Sequence, residues 1–373
     1  MAEKYSTSWS DIRCYTDWVM VAVTLVLFCF GLAAIYSASA SFAKGEAAVS
    51  GFVVRQAVWG MMGAAVYLAV LKADYRNFMK YAWPLFAGIV MIFVVLLVVG
   101  HTAKGSQRWF NFGFFRFQPS ELGKVIFALA LARLCSALPP NSARGIGAVV
   151  LVAGTVITPI MMQPDLGSSL VYVVMLFAVF VAAGTPVRIL ASMVGAGAAM
   201  LPLGWLVLKP YQRMRLLVFL DPTIDPQGGG YNVIQSRIAV GSGGLYGKGF
   251  LHGTQGKLHF LPEPHTDFIF SVFSEEFGFI GCAVVLLLFA VLLWRILKVS
   301  QYTKDLQAKL MCAAIAAWLW FQIMESVAMS MGLAPVTGLP LPLFSYGGSS
   351  LLVVSLGLAL VQSANIAARQ DRF

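Results

Sequence analysis

The chain reads as an all-α polytopic membrane protein of ten transmembrane helices, with a long outer loop between helices 7 and 8. Three observations carry this reading. Hydrophobic residues make up 59% of the chain and charged residues only 11%, against about 25% charged in a soluble domain. Mean hydropathy is +0.80. Apolar runs of about 20 residues, the length that crosses the hydrocarbon of a bilayer, recur near 17–39, 52–71, 79–100, 118–138, 145–162, 166–184, 187–208, 267–297, 306–332 and 347–366. No segment between them is large enough to fold alone, so residues 1–373 are expected to form a single membrane domain whose chemistry must come from helices and loops.

An even number of crossings puts both termini on one side, and the basic residues select the cytoplasmic side, where Lys and Arg are retained. With the N-terminus inside, 14 of the 26 Lys and Arg mark cytoplasmic segments, among them Lys72, Arg76, Lys80, Arg133, Arg144, Arg188, Arg295 and Lys298. Six of the other twelve lie in the loop 209–266, and long loops translocate largely regardless of charge. This surplus of outward cations calls for an anionic ligand at the outer face. The first sixteen residues lead into an apolar run too long for a cleaved signal, which predicts a retained anchor. The cysteines at 14, 29, 135, 282 and 312 fall in helices or on the cytoplasmic side and imply no disulfide framework.

The outer loop 101–117 alternates aromatic and basic residues around Arg108 and Trp109. An interfacial aromatic belt and a ligand surface account for Trp109 equally well. The fourth helix opens with Gln118-Pro119-Ser120-Glu121: Pro is favoured at the first helical position, and an acid in the first turn offsets the helix dipole. Lys124 follows on the same face, inside an apolar run, where an ionisable side chain points to function. Gln163-Pro164-Asp165 repeats this opening at another outer turn, with Asp165 readable as a cap.

The loop 209–266 sets six basic residues against Asp221, Asp225 and Glu263, a net charge of +3 before His252, His259 and His265. Residues 231–240 have the pattern of a short helix lying in the interface. The glycine-rich run 241–249 predicts a flexible turn with exposed amides, able to contact phosphate or sugar oxygens. It is no P-loop, because Ser242 and Gly249 stand where that motif needs Gly and Ser or Thr. The histidine spacing matches no zinc motif, and no metal site is predicted.

Asp267 stands where this loop enters the apolar stretch 268–299, with His265 and Thr266 beside it. A carboxylate there is costly unless paired, which marks it as functional. Ser271 and Ser274 continue its face, whereas Glu275 and Glu276 lie deeper and read as bonding groups within the bundle. One carboxylate amid cations suits glycosyl transfer from a lipid pyrophosphate. A single base deprotonates the acceptor hydroxyl, cations meet the departing pyrophosphate, and no acid partner is needed. The same set suits a transporter that couples an anionic lipid to protons through Asp267. A non-catalytic scaffold for a partner's membrane anchor leaves Asp267 and the outward cations unexplained.

Five blocks carry a resemblance: Gln118-Pro-Ser-Glu-Leu-Gly-Lys124, Gln163-Pro-Asp-Leu-Gly-Ser168, Gly241-Ser-Gly-Gly244, Pro262-Glu-Pro-His-Thr-Asp-Phe268 and Pro340-Leu-Pro-Leu-Phe-Ser-Tyr-Gly-Gly-Ser349. In order and across nearly the whole chain, they resemble the signature blocks of the SEDS family (shape, elongation, division and sporulation). The stretch 249–255 is more similar to its RodA branch than to its FtsW branch. The resemblance implies a peptidoglycan glycosyltransferase of the bacterial inner membrane, active at the periplasmic or outer face in cell elongation and rod shape. Lipid II would be donor and acceptor, and undecaprenyl pyrophosphate the product released. It further implies a class B penicillin-binding transpeptidase as partner through membrane helices, the elongation machinery around both, and no nucleic acid.

Carried over by position, the resemblance makes Asp267 the essential carboxylate and Lys124 and Glu121 the polar pair facing it across a cavity. Arg108 matches a basic position before the fourth helix; Trp109, Gln118, Gln163, Arg213, Arg215, Lys257, His265 and Ser345 complete the expected substrate-binding set. No cofactor is certain, with room for a divalent cation, Mg²⁺ or Mn²⁺, beside the pyrophosphate. The chain departs from the family at Ser326-Val327-Ala328, where an Asn-x-Gly element is usual.

Overall fold

The computed structural model describes residues 7–40, 46–99, 101–103, 106–111, 116–226, 228–257, 260–261 and 263–371. The chain opens with a short helix α1 (Trp9–Tyr15), capped by the Ser8 hydroxyl accepting from Asp11 N–H. It continues through α2 (Trp18–Ala40), α3 (Glu46–Ala73), the single-turn α4 (Tyr75–Lys80) and α5 (Ala82–Val99). Three short strands follow, β1 (His101–Ala103), β2 (Ser106–Asn111) and β3 (Arg116–Phe117), paired antiparallel in that order. Then come α6 (Pro119–Ala137), α7 (Ala143–Met162), α8 (Leu166–Ala182) and α9 (Val187–Val207). The segment up to Asp267 holds α10 (Pro210–Leu220), one 3₁₀ turn (Pro222–Ile224), α11 (Gly229–Ser242) and α12 (Thr254–Lys257). The last three helices are α13 (Ile269–Tyr302), α14 (Leu306–Met331) and α15 (Gly348–Gln370).

Among the described residues, ten helices of 17 residues or more overlap the ten expected apolar runs. Six of them, α2, α3, α7, α13, α14 and α15, are long and apolar enough to cross a membrane, and α5, α8 and α9 hold shorter apolar stretches. The remaining one, α6, carries Glu121, Lys124 and Arg133 and is buried over most of its length. It packs with α8, α14 and α15 around Phe127, Tyr172, Trp318 and Phe344, which are fully buried. The peripheral helices turn large apolar side chains outward, such as Leu25, Met61, Leu151 and Leu287. So much exposed apolar surface would associate in water and is satisfied by lipid.

Two features differ from the sequence reading. The all-α expectation gives way at 101–117, where the alternation of aromatic and basic residues is the period-2 pattern of a strand, with Trp109 opposite His101 and Phe110 opposite Phe117. The loop 209–266 also holds α10, begun by Pro210 at its first position, with Gln212 reaching back to accept from Lys209 N–H at 3.0 Å. Arg213 and Arg215 interrupt the apolar pattern that would have announced this helix.

The glycine-rich run after α11 is not a free turn. Within α13, Gly278 leaves the helical conformation at φ 64°, ψ −164°, and the run 244–249 docks against the break through its backbone. Phe279 N–H donates to Gly244 O at 2.8 Å and Ile280 N–H to Leu245 O at 3.1 Å, while Lys248 and Gly249 N–H donate to the carbonyls of Glu275 and Glu276 at 3.0 Å each. The amides expected to meet a ligand thus bond α13. Glu275 anchors the same loop, accepting from Lys248 Nζ at 2.5 Å and from Thr254 N–H and Oγ1 at 2.8 Å each. Glu276 accepts from the Ser37 hydroxyl on α2, the bonding between bundle helices that the sequence suggested.

A β-carbon on Gly278 would lie 2.3 Å from Gly247 N. Gly278→Ala should therefore undock the loop and cost on the order of 2 kcal/mol or more, read as a lower Tm in detergent and faster proteolysis between 209 and 266.

Candidate active site

Two loops meet in front of α13. Asp267 occupies the turn before Phe268, the N-cap of that helix, and is half-buried. Its Oδ2 lies 3.5 Å from where a β-carbon on Gly338 would stand, and Gly338 itself has φ 78°. A β-carbon there would make only ordinary contact with the carboxylate, so it is the left-handed φ that calls for glycine where the 337–347 loop backs Asp267. On either side the loops are joined by hydrogen bonds: Ser345 Oγ donates to Thr266 O at 2.7 Å, and Tyr346 N–H donates to His265 O at 3.0 Å. Leu341 N–H donates to Ser345 Oγ at 2.9 Å. Gln56 on α3 closes the far side, giving to Ser345 O and taking from Gly347 N–H at 3.2 Å each. His265 lies between Phe52 and Tyr346, tilted against the first and edge-on to the second, with centroids at 4.8 and 5.7 Å. Burial lowers its pKa below the usual histidine value, against the smaller upward pull of Glu263, so the ring stays neutral at pH 7.

Behind this junction lies the polar pair expected from the sequence. Lys124 is fully buried, its Nζ 2.5 Å from Glu121 Oε1, 3.2 Å from Gln322 Oε1 and 5.5 Å from the centre of the Trp318 ring. Helical spacing of three sets Glu121 and Lys124 on one face of α6, and a buried ammonium survives only with such partners. Gln322 and Trp318, one turn apart on α14, escaped the sequence reading; an amide within the apolar run 306–331 was the available signal. Gln322 Nε2 donates to Pro340 O at 2.7 Å, and Glu325, on the same face, accepts from Thr337 Oγ1 at 2.7 Å. Lys124 is thereby connected, through Gln322, to the loop that backs Asp267.

The other expected residues lie in different places. His265 and Ser345 lie at the junction itself, within its wall. Gln118 and Gln163 bond helices together: Gln118 Nε2 donates to Asp165 Oδ2 at 3.2 Å, and the buried Gln163 donates to Phe93 O at 3.2 Å. Asp165 caps α8 as expected, accepting from Ser168 N–H at 3.1 Å. The two arginines of α10 point differently. Arg213 donates to Leu206 O at 2.9 Å and lies over Trp205, whereas Arg215 donates to Val336 O at 3.0 Å, two residues before Gly338. Arg215 also lines a cavity of about 540 Å³ between α10 and α11, with Tyr211, Asp225 and Asn232. Trp109 sits half-buried in β2; the side chains of Arg108 and Lys257 lie outside the described residues. Ser326, at the family departure, is buried, its hydroxyl unpartnered among the described residues. Among the described residues no group of three or more His, Cys, Asp or Glu is placed to hold a metal ion.

The buried pair makes a stability prediction. Lys124→Met strands the Glu121 carboxylate and should cost about 3–5 kcal/mol. The double change Glu121→Leu with Lys124→Met should recover most of that loss in thermal denaturation, although neither variant keeps the pair.

Comparison with known proteins places the chain in a family. A profile of the FtsW, RodA and SpoVE family, described as cell cycle protein, matches residues 17–370. The chain is 36% identical to peptidoglycan glycosyltransferase MrdB of Escherichia coli, over 96% of this chain and 95% of that one. It is 31% identical to peptidoglycan glycosyltransferase RodA of Treponema pallidum, over 94% and 97%. Among solved structures it superposes with TM-score 0.81 and 31% identity on a chain from a study of polymerization and crosslinking by a peptidoglycan synthase complex, covering 96% of this chain and 98% of that one. It superposes with TM-score 0.72 and 30% identity on the rod shape determining protein RodA of Thermus thermophilus, over 95% and 98%. The chain belongs to the SEDS family of FtsW, RodA and SpoVE proteins.

Proposed function

We propose that the chain is a peptidoglycan glycosyltransferase of cell elongation, polymerising lipid II from within the cytoplasmic membrane. The observation that carries this reading is the Asp267 carboxylate, held between two loops at the mouth of α13 in a chain whose relatives are named for that activity. All ten long helices cross the membrane in this reading, both termini are cytoplasmic, and Asp267 faces the periplasm or exterior. The Asp17–Arg295 ion pair, at 2.5 Å, then marks the cytoplasmic end of the bundle.

Asp267 acts as general base. It takes the proton of the acceptor's GlcNAc 4-hydroxyl as that oxygen attacks C1 of the donor's MurNAc. The new glycosidic bond forms with inversion while the bond from C1 to phosphate breaks, and undecaprenyl pyrophosphate departs with the electron pair. Charge developing on the pyrophosphate is met by cations of the outer loops, with Arg215 best placed beside the Gly338 loop. Lys124, fully buried and engaged by Glu121 and Gln322, organises the site from behind. A divalent ion, Mg²⁺ or Mn²⁺, would arrive bound to the pyrophosphate. A class B penicillin-binding transpeptidase docks on the membrane helices, in keeping with the synthase complex from which a similar chain comes.

Asp267→Asn, purified with its transpeptidase partner, should lose glycan synthesis from lipid II by at least about 100-fold. Normal polymerisation by this variant would refute the assignment.

A further inference from the structure

On α14, Gln322 is fully buried among apolar neighbours, and an amide there costs a few kcal/mol unless its bonding positions are used. Its oxygen receives two donors, Lys124 Nζ at 3.2 Å and Trp318 Nε1 at 2.7 Å. Neither partner can accept a hydrogen bond. The orientation of the amide is therefore settled by chemistry, since the flipped form would press N–H₂ against an ammonium and an indole N–H. The nitrogen must then face the other way, where it meets Pro340 O at 2.7 Å. One helical turn along, Glu325 takes the hydroxyl of Thr337 at 2.7 Å. The two side chains of α14 grip the loop on both sides of Gly338, the residue that backs Asp267 Oδ2.

We infer that Gln322 is a positioning residue of the transferase site, fixing the loop behind Asp267 in register with the buried Lys124–Glu121 pair. This rests on the function proposed above. Gln322 is fully buried and acts through its link to the loop. Its loss therefore acts on the site only through the loop and misaligns the base that the loop backs; Arg215 bonds that loop at Val336 O, outside the Thr337–Pro340 stretch that α14 grips. A base works within about 2.6–3.2 Å of the proton it takes, and misplacement by about 1 Å costs on the order of 100-fold in rate. The effect belongs on kcat, with KM little changed.

Gln322→Asn tests the link without adding a charge: its amide, one methylene shorter, cannot hold Lys124 and Trp318 at one end and Pro340 O at the other. Measured on the full chain with lipid II, it should lower kcat by about 10- to 100-fold while KM stays within about twofold and Tm within a few degrees of the parent. A kcat within about twofold of the parent, or a loss that follows KM or Tm, overturns the inference. Should Gln322→Asn not fold, Gln322→Glu, whose ionised carboxylate accepts from Lys124 and Trp318 but gives nothing to Pro340 O, takes its place with the same readings of kcat and KM. Amide hydrogen exchange separates this inference from the function on which it rests. Loss of the link should speed exchange at the Leu341 and Tyr346 N–H groups by about tenfold or more, even if the parent chain made no glycan. Unchanged exchange there overturns the inference whatever the activity.

Discussion

A single ammonium inside the bundle constrains most of what surrounds the site. Lys124 has no access to solvent, and a charge so placed must be matched by oxygen atoms in good geometry or the helix carrying it does not stay buried. The first turn of α6 supplies Glu121, and α14 supplies Gln322 and the Trp318 ring. Meeting that requirement locks α6 against α14. It also turns the Gln322 N–H₂ group the other way, where the 337–347 loop takes up one of its two donors at Pro340. A demand for charge compensation deep in the bundle thereby becomes a fixed position for a loop at its mouth.

The mouth itself is held in conformations that cost energy. Leu343 and Glu263 have φ of 65° and 49°, a region that side-chain-bearing residues occupy at about 1–3 kcal/mol each. One belongs to the loop behind Asp267 and the other to the segment leading into it. Hydrogen bonds through Ser345, Tyr346 and Gln56 over-determine both, and Gly31 on α2 lets the Leu343 carbonyl sit 2.8 Å from where its β-carbon would be. Farther along α13, the break at Gly278 is filled by the backbone of the glycine run. The segment between α9 and α13 is thus bonded into the scaffold around Asp267.

Much of this was legible in the amino-acid sequence, and the limits have physical reasons. Apolar run length located the long helices among the described residues, because length and composition go together in a helix fit to cross hydrocarbon. Asp267 and the spacing of Glu121 and Lys124 stood out because charge beside apolar runs is costly. The small sheet at 101–117 was hidden behind an interfacial-belt reading of the same alternating residues. Gln322 was missed because one neutral amide in an apolar run carries no charge to flag it, and its meaning depends on Pro340, distant in the loop that follows. The glycine run looked free because sequence shows exposed amides but not the carbonyls of Glu275 and Glu276 that engage them. Gln118 and Gln163, marked by motif, proved to bond helices, a role no local pattern distinguishes from ligand binding.

The proposed transfer turns on where the acceptor hydroxyl sits relative to Asp267. The most direct measurement is a structure of the chain with unreactive lipid II analogues in both donor and acceptor positions. The acceptor's 4-hydroxyl oxygen should lie about 3 Å from an Asp267 carboxylate oxygen, or one water away. Both analogues bound with that hydroxyl beyond the reach of a bridging water would contradict the assignment of Asp267 as base.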